Sequence, residues 1–490
     1  MWWNGAQMVP WALAAMKPIR SGRLSTCPIS VFLLGEKFRW GWRRGRGSQG
    51  LKPIRAKVGG LYYLKMDDIQ QRLNDEEYIE SRVEQAKGPS ERAALLNTIG
   101  TLLMERTTES GSEEDLDRSI SASERALMIS PECDENRARY VSDLAQTVYL
   151  RYRRFGSVAD LSRAIALGEQ LVATMPKDNS LAALYLYRLN LYFSSRFERF
   201  GAQEDLIRAI RVINDALSLI PENHTNYSIY LSSLARLLKH MFENTAEIDH
   251  LNEAIVMYKK AISLITADRV PHAPVILNNL ASSYWTRYEE TGDIAGLHEA
   301  ISSYERALAL TPKTHYDHPM YACNLGMALR SRHQRTGSVA DLDYAIELYK
   351  NAIAITPTNS PQLGHRLNSL NIALKCRFES SGSMDHLESA VELAEQVADL
   401  IPKDHPDYAM YLHSLGTTLR RRYEHTGSLV DLDRAIAIDE QVLSLTPEGH
   451  IHYGRRLHSL AIVLRCRFER IGSTDDLQYP PREHGHLIKF

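Results

Sequence analysis

The sequence predicts an all-α protein, a right-handed α-solenoid of stacked antiparallel helix pairs. Three observations carry that prediction. A glycine returns at Gly111, Gly156, Gly201, Gly292, Gly337, Gly382, Gly427 and Gly472, in steps of 45 residues seven times and 46 once, with Ala246 in the one gap. Between these positions apolar residues recur at helical spacing, without the alternation of a strand. A proline stands twenty residues after seven of the glycines, at Pro131, Pro176, Pro221, Pro312, Pro357, Pro402 and Pro447. A fixed period of this length marks units that cannot bury their apolar faces alone and must stack.

Each element follows from its residues. In the unit Pro361–Ile401, Leu367, Leu370, Asn371, Leu374 and Phe378 form one stripe of a first helix. Gly382 ends it, because glycine accepts the left-handed conformation of a C-terminal cap. The second helix begins at once. Ser112/Asp115, Ser157/Asp160, Ser338/Asp341, Ser428/Asp431 and Ser473/Asp476 spell S-x-x-D, a capping-box variant whose carboxylate suits the positive helix end. Its stripe in one unit runs Leu342, Ala345, Ile346, Tyr349, Ala352 and Ile353, and the proline stops it. Alanine recurs at Ala164, Ala209, Ala254, Ala300, Ala345, Ala390 and Ala435, where a small side chain lets helices approach closely. Each unit is therefore two helices of about 17–20 residues, with eight hairpins between about 90 and 445 and a lone helix near 450–469.

The expected organisation has four parts. Residues 1–65 hold twelve Lys/Arg, one acid (Glu36) and five of the six tryptophans. Their apolar stretches are too short to span a bilayer. They read as a disordered or non-native extension with Met66 as the natural start; a mitochondrial presequence is the alternative for so basic a segment. Residues 66–89 are expected to form a helical cap and 90–475 the array, read as one elongated body. Residues 476–490 are expected to be an irregular, truncated tail, since Pro480 and Pro481 cannot continue a helix. With 58 basic and 60 acidic residues in all, residues 66–490 hold 58 − 12 = 46 basic and 60 − 1 = 59 acidic, a net of −13. An acidic body argues against nonspecific nucleic-acid binding.

The second helix reads A-I-x-x-Y-x-x-A-L-x-L-x-P at Ala300, Ile301, Tyr304, Ala307, Leu308, Leu310 and Pro312. The first reads L-G-x-x-L at Leu325–Leu329 and Leu415–Leu419. These spacings resemble the tetratricopeptide repeat, across about residues 90–475. The departure is length, since that repeat usually has 34 residues. The long form is similar to fungal tetratricopeptide-like arrays, many of which continue into a caspase-like CHAT protease domain. The resemblance implies a superhelical platform for binding proteins. HEAT-type repeats share the period without predicting the A-x-x-x-Y-x-x-A spacing.

Residues present in every unit are expected to serve stacking, and residues that differ are expected to serve function. An arginine five residues before the glycine (Arg106, Arg151, Arg196, Arg287, Arg332, Arg377, Arg422, Arg467) reads as structural, pairing with carboxylates such as Asp341 and Asp431. Two residues earlier the units diverge, and Lys239, Trp285, Arg330, Lys375, Arg420 and Arg465 are the candidate partner-binding residues. In the concave groove, with Asn278, Asn368, His413 and His458 nearby, the basic members suit an acidic peptide or a C-terminal carboxylate. The competing reading is a solvated basic face.

No catalytic, cofactor or metal site is expected. G-x-S-x-G, P-loop, H-E-x-x-H and glycine-rich dinucleotide motifs are missing from the sequence. Most histidines lie singly on helices or in the turns after the proline (His224, His315, His318, His405, His450). Cys376 and Cys466 occupy equivalent positions and read as small buried side chains. The chain is thus expected to be a non-catalytic, cytoplasmic scaffold that binds a protein or peptide, with no nucleic acid or membrane partner and with self-association open to its exposed ends. The alternative is the regulatory array of a CHAT-type protease whose effector lies outside this sequence.

Overall fold

The structure is a computed structural model that describes residues 72–175, 179–265, 272–358, 360–450 and 452–472. The expectations for residues 1–65 and 476–490, for Pro176 and for the Ser473/Asp476 pair lie outside the described residues. No strand occurs among them.

The chain divides between Leu264 and Ile265 into two compact units. The first holds α1 (Glu76–Gln85), α2 (Pro89–Ser110), α3 (Glu113–Ile129), α4 (Arg137–Phe155), α5 (Val158–Thr174), α6 (Ala182–Phe200), α7 (Gln203–Ser218), α8 (Tyr227–Thr245) and α9 (Ile248–Ser263). The second holds α10 (Ala273–Thr291), α11 (Ile294–Ala309), α12 (His318–Thr336), α13 (Val339–Ala354), α14 (Leu363–Ser381), α15 (Met384–Leu400), α16 (Tyr408–Thr426), α17 (Leu429–Ser444) and α18 (Tyr453–Ile471). Within each unit consecutive helices pair into antiparallel hairpins, and the second helix of a hairpin packs on the first helix of the next. The division falls inside the single 46-residue step, in the one unit without a proline twenty residues after its cap.

The period has a conformational cause. Gly111, Gly156, Gly201, Gly292, Gly337, Gly382, Gly427 and Gly472 all have φ between 67° and 80°, and each donates its N–H to the carbonyl four residues back. Ala246 adopts the same conformation at φ 57°. The second helices are 16 or 17 residues long, shorter than the first. At their starts Ser112, Ser157, Ser338 and Ser428 accept the N–H of the aspartate three residues on.

The capping box, however, is not reciprocal. The N–H of Ser338 and of Ser428 donates to the hydroxyl of Thr336 and of Thr426, and the aspartate is taken by arginine instead.

Packing repeats with the period. Leu116, Leu161, Leu206, Leu251, Leu297, Leu342, Leu387 and Leu432 are completely buried, as are the seven recurrent alanines of the second helix. Burying a leucine side chain contributes roughly 1.5–3 kcal/mol, so each hairpin depends on the neighbour that covers it. Gly326 marks a close approach: a Cβ there would lie 2.8 Å from Cζ of Tyr349.

The turns between hairpins explain four of the eighteen histidines. In His224, His315, His405 and His450 the ring Nδ1 accepts the main-chain N–H two residues on, at 3.1–3.2 Å. Asp134, Asn179 and Ser360 supply the same acceptor in other turns.

Candidate functional site

The recurrent arginine is a stacking device. Arg151, Arg196, Arg332 and Arg422 each grip the aspartate nine residues on through two nitrogens, at 2.5–2.9 Å, and Arg106 holds Asp115 likewise. The Arg332 guanidinium holds the Asp341 carboxyl below the ordinary carboxylate range. Where that aspartate is replaced, the arginine turns elsewhere. His386 stands in its place beyond Arg377, which reaches back to Asp343 of the preceding hairpin at 2.6 Å. Gly296 stands in its place beyond Arg287, which lies over the Tyr284 ring. Arg151 does both, adding Asp117 at 2.7 Å.

The candidate row sits one residue per first helix. Lys239 on α8 belongs to the first unit. Trp285, Arg330, Lys375, Arg420 and Arg465, on α10, α12, α14, α16 and α18, belong to the second. The first helices of neighbouring hairpins touch one another directly, and side chains of this row and its neighbours join them. In the second unit Trp285 Nε1 donates to Ser331 (3.4 Å), Lys375 Nζ to Thr417 (3.2 Å) and Asn324 to Asn278 (2.9 Å). In the first unit Tyr149 bonds Ser195 (2.7 Å), Asn97 donates to Asp143 (3.0 Å), and Arg188 reaches Ser142 and Asp143. Asn368 is buried, His413 is three-quarters covered and His458 is exposed.

The charges of the row are accompanied. Arg420 pairs with Glu424 (2.5 Å), Arg465 with Glu469 (3.6 Å) and Lys239 with Glu243 (3.9 Å), each four residues on. Sequence reasoning missed this second row. The signal was present, since glutamate four residues beyond a cation lies on the same helix face. Arg465 is the most exposed member, with 58% of its side chain accessible. Lys375 is the least ordinary: burial, together with Arg420 and Arg421, pulls its ammonium pKa down to about 8.

A second missed residue is Asp439, completely enclosed on α17 where other units place Tyr304 and Tyr349. Ser459 donates to its Oδ2 (3.0 Å), and His413 Nδ1 stands 3.7 Å from its Oδ1. Gly416 leaves the space that this carboxylate enters.

Cys376 and Cys466 are half-buried, not fully buried as expected, and burial raises both thiols; Cys323 is pushed up to about 11. Thiols so raised stay protonated and are poor nucleophiles. A hollow of about 370 Å³ lies among α13, α14 and α15, lined by Lys350, Leu374, His386 and Glu392 among others, and no member of the row lines it. Among the described residues no group of three or more His, Cys, Asp or Glu could hold a metal ion, and no helix is long and apolar enough to cross a membrane.

Helix pairs of this kind define the class of stacked helical-repeat proteins. Within it, residues 409–452, from α16 to the turn after α17, match the tetratricopeptide repeat family. No curated protein matches the chain. Solved structures similar to it include the nearly identical TPR-like repeats of a putative kinesin light chain from Podosopora anserina, 18% identical over 44% of this chain and 97% of that one, with a TM-score of 0.34. BtubC (BKLC) from P. vanneervenii is 17% identical over 49% and 94%, with a TM-score of 0.37. A tetratricopeptide repeat protein from Parabacteroides merdae is 14% identical over 65% and 98%, with a TM-score of 0.38.

Proposed function

We propose that the protein is a non-catalytic scaffold that binds a protein or peptide segment along the first-helix face of its repeats. One observation carries this reading. The positions that recur are taken up in holding the helices together, as the arginine–aspartate clamps and buried Leu-Ala rows are, while the positions that differ include one residue on each first helix from α8 onward. Arg330, Lys375, Arg420 and Arg465 favour an acidic segment, with Trp285 offering an aromatic contact at the α10 end and Lys239 a further cation in the first unit. Rigid stacked helices hold such a face ready, so little of the ordering cost of binding falls on the scaffold. The four described cysteines are free, which supports a reducing, cytoplasmic setting.

The test reverses charge at Arg330, Lys375, Arg420 and Arg465 together in the whole chain. Partners captured from a lysate by the parent chain should be lost by the variant while its helical content and melting are kept. An unchanged partner set in a folded variant rejects the reading.

A further inference from the structure

Seven turns between hairpins share one geometry and differ in the group that completes it. In each, one side chain accepts the main-chain N–H two residues on, and that N–H belongs to the N-cap of the next first helix. None of these seven N-cap side chains bonds its own helix, so the turn acceptor is what fixes the helix start. Before α4, α6 and α14 the acceptor is a carboxylate, an amide or a hydroxyl, at Asp134, Asn179 and Ser360. Before α8, α12, α16 and α18 it is imidazole Nδ1, at His224, His315, His405 and His450. Of these groups only the imidazole ordinarily changes charge between pH 5 and 8. Neutral, with its hydrogen on Nε2, it accepts at Nδ1; protonated, both ring nitrogens donate.

We propose that the four histidine turns are proton-operated hinges: acidification breaks the histidine bond and loosens the starts of α8, α12, α16 and α18, while the other three turns hold. Two effects act in the same direction. The protonated ring turns a donor toward the N–H that it held, and its charge sits beside the positive end of a helix. The surroundings differ by site. Near His224, Glu222 is already taken by Lys260 of α9 at 2.6 Å. The turn of His405 carries Lys403, Asp404 and Asp407, with the Tyr411 ring 6.4 Å away. His450 follows Glu448 and has the His452 ring at 5.3 Å, where Arg455, Arg456 and His413 also act; these cations add to the cost of charging it. His315 has Asp317 Oδ2 at 3.9 Å, with His318 and Lys313 close by. That carboxylate favours the charged ring, so this turn should respond least. The four helices carry Lys239, Arg330, Arg420 and Arg465 of the candidate row, but the inference stands whether or not that face binds a partner.

The test reads amide hydrogen exchange residue by residue in the full chain, at about pH 8 and about pH 5.5, with each rate divided by the intrinsic rate at that pH. On acidification, protection of the Asn226, Asp407 and His452 amides should fall about three- to tenfold, the opening that one lost hydrogen bond of ordinary net strength allows, and that of Asp317 should fall less. The amides of Leu181 and Gln362, held by Asn179 and Ser360, should stay within about twofold. His224→Asn, His405→Asn and His450→Asn together install the acceptor that Asn179 already provides at 2.8 Å, and should keep protection at the lower pH. Ser360→His should confer the response on the Gln362 amide. An equal fall in all seven turns, a fall that persists in the asparagine variant, or no fall at all overturns the hinges.

Discussion

Ala246→Gly should stabilise the first unit. Ala246 closes α8 at φ 57° and ψ 15°, where every other first helix that reaches this cap ends in glycine. A β-carbon in the left-handed region costs about 1–2 kcal/mol. Glycine gives back about 0.4–1 kcal/mol through the greater freedom of the unfolded chain. Alanine at 246 is exposed, so no packing is lost. The net gain is about 0.5–1 kcal/mol. Stacked repeats need not unfold in one step. The readout is therefore local: hydrogen exchange of the Ala246 amide, which donates to Phe242 at 2.7 Å, together with urea unfolding of the whole chain. Exchange should slow about two- to fivefold. The mirror experiment is Gly427→Ala, where a Cβ would meet nothing within 4 Å and the loss should match the gain. Faster exchange in Ala246→Gly, or no change in either variant, refutes the assignment of the period to the left-handed cap.

Other outcomes follow from the same packing. Gly326→Ala pushes a methyl into the Tyr349 ring and should cost about 1–3 kcal/mol in urea unfolding, against almost nothing for Gly449→Ala, where a Cβ meets nothing within 4 Å. Gly296→Asp returns to Arg287 the carboxylate that its unit lacks and removes a helical glycine; a gain of about 1 kcal/mol is expected, and a loss would show that the ring of Tyr284 is the better partner. Arg332→Met should flatten the acid limb of stability. The Asp341 carboxyl is held below its unfolded value, so its contribution is complete above about pH 4 and disappears as pH falls through the lower, folded value. The variant lacks that contribution at neutral pH and so loses less on acidification, as thermal melts across the range will show.

How much of this was legible beforehand depends on whether a residue answers to its own helix or to a neighbour. Gly382, Ser338 and Leu342 act within a turn or two of the chain, and the 45-residue step exposed them at once. The pairing of Arg332 with Asp341 was legible for the same reason, because nine residues bridge one hairpin. The backward reach of Arg377 to Asp343 was not, since it arises only when His386 takes the place of the expected aspartate. The candidate row was found by asking where units differ, yet its partners Thr417 and Ser331 lie on the next first helix, and that register becomes visible only once the hairpins are stacked. Glu424 and Glu469 could have been found by helical spacing alone. Asp439 shows the opposite limit: a buried carboxylate at a tyrosine position breaks the pattern, and only the space left by Gly416 explains how it is housed.

The changing direction of the arginine clamps makes the row of hairpins mechanically uneven. A clamp closed on its own hairpin, as at Arg332 and Arg422, stiffens a block; one thrown backward, as at Arg377 to Asp343, rivets a helix to the block before it. Under tension applied along the chain, α14 should therefore let go together with α13. Extension traces of the second unit should show steps two helices at a time, grouped across the turn instead of within the hairpin. Steps of one hairpin each would mean that the rivets bear no force.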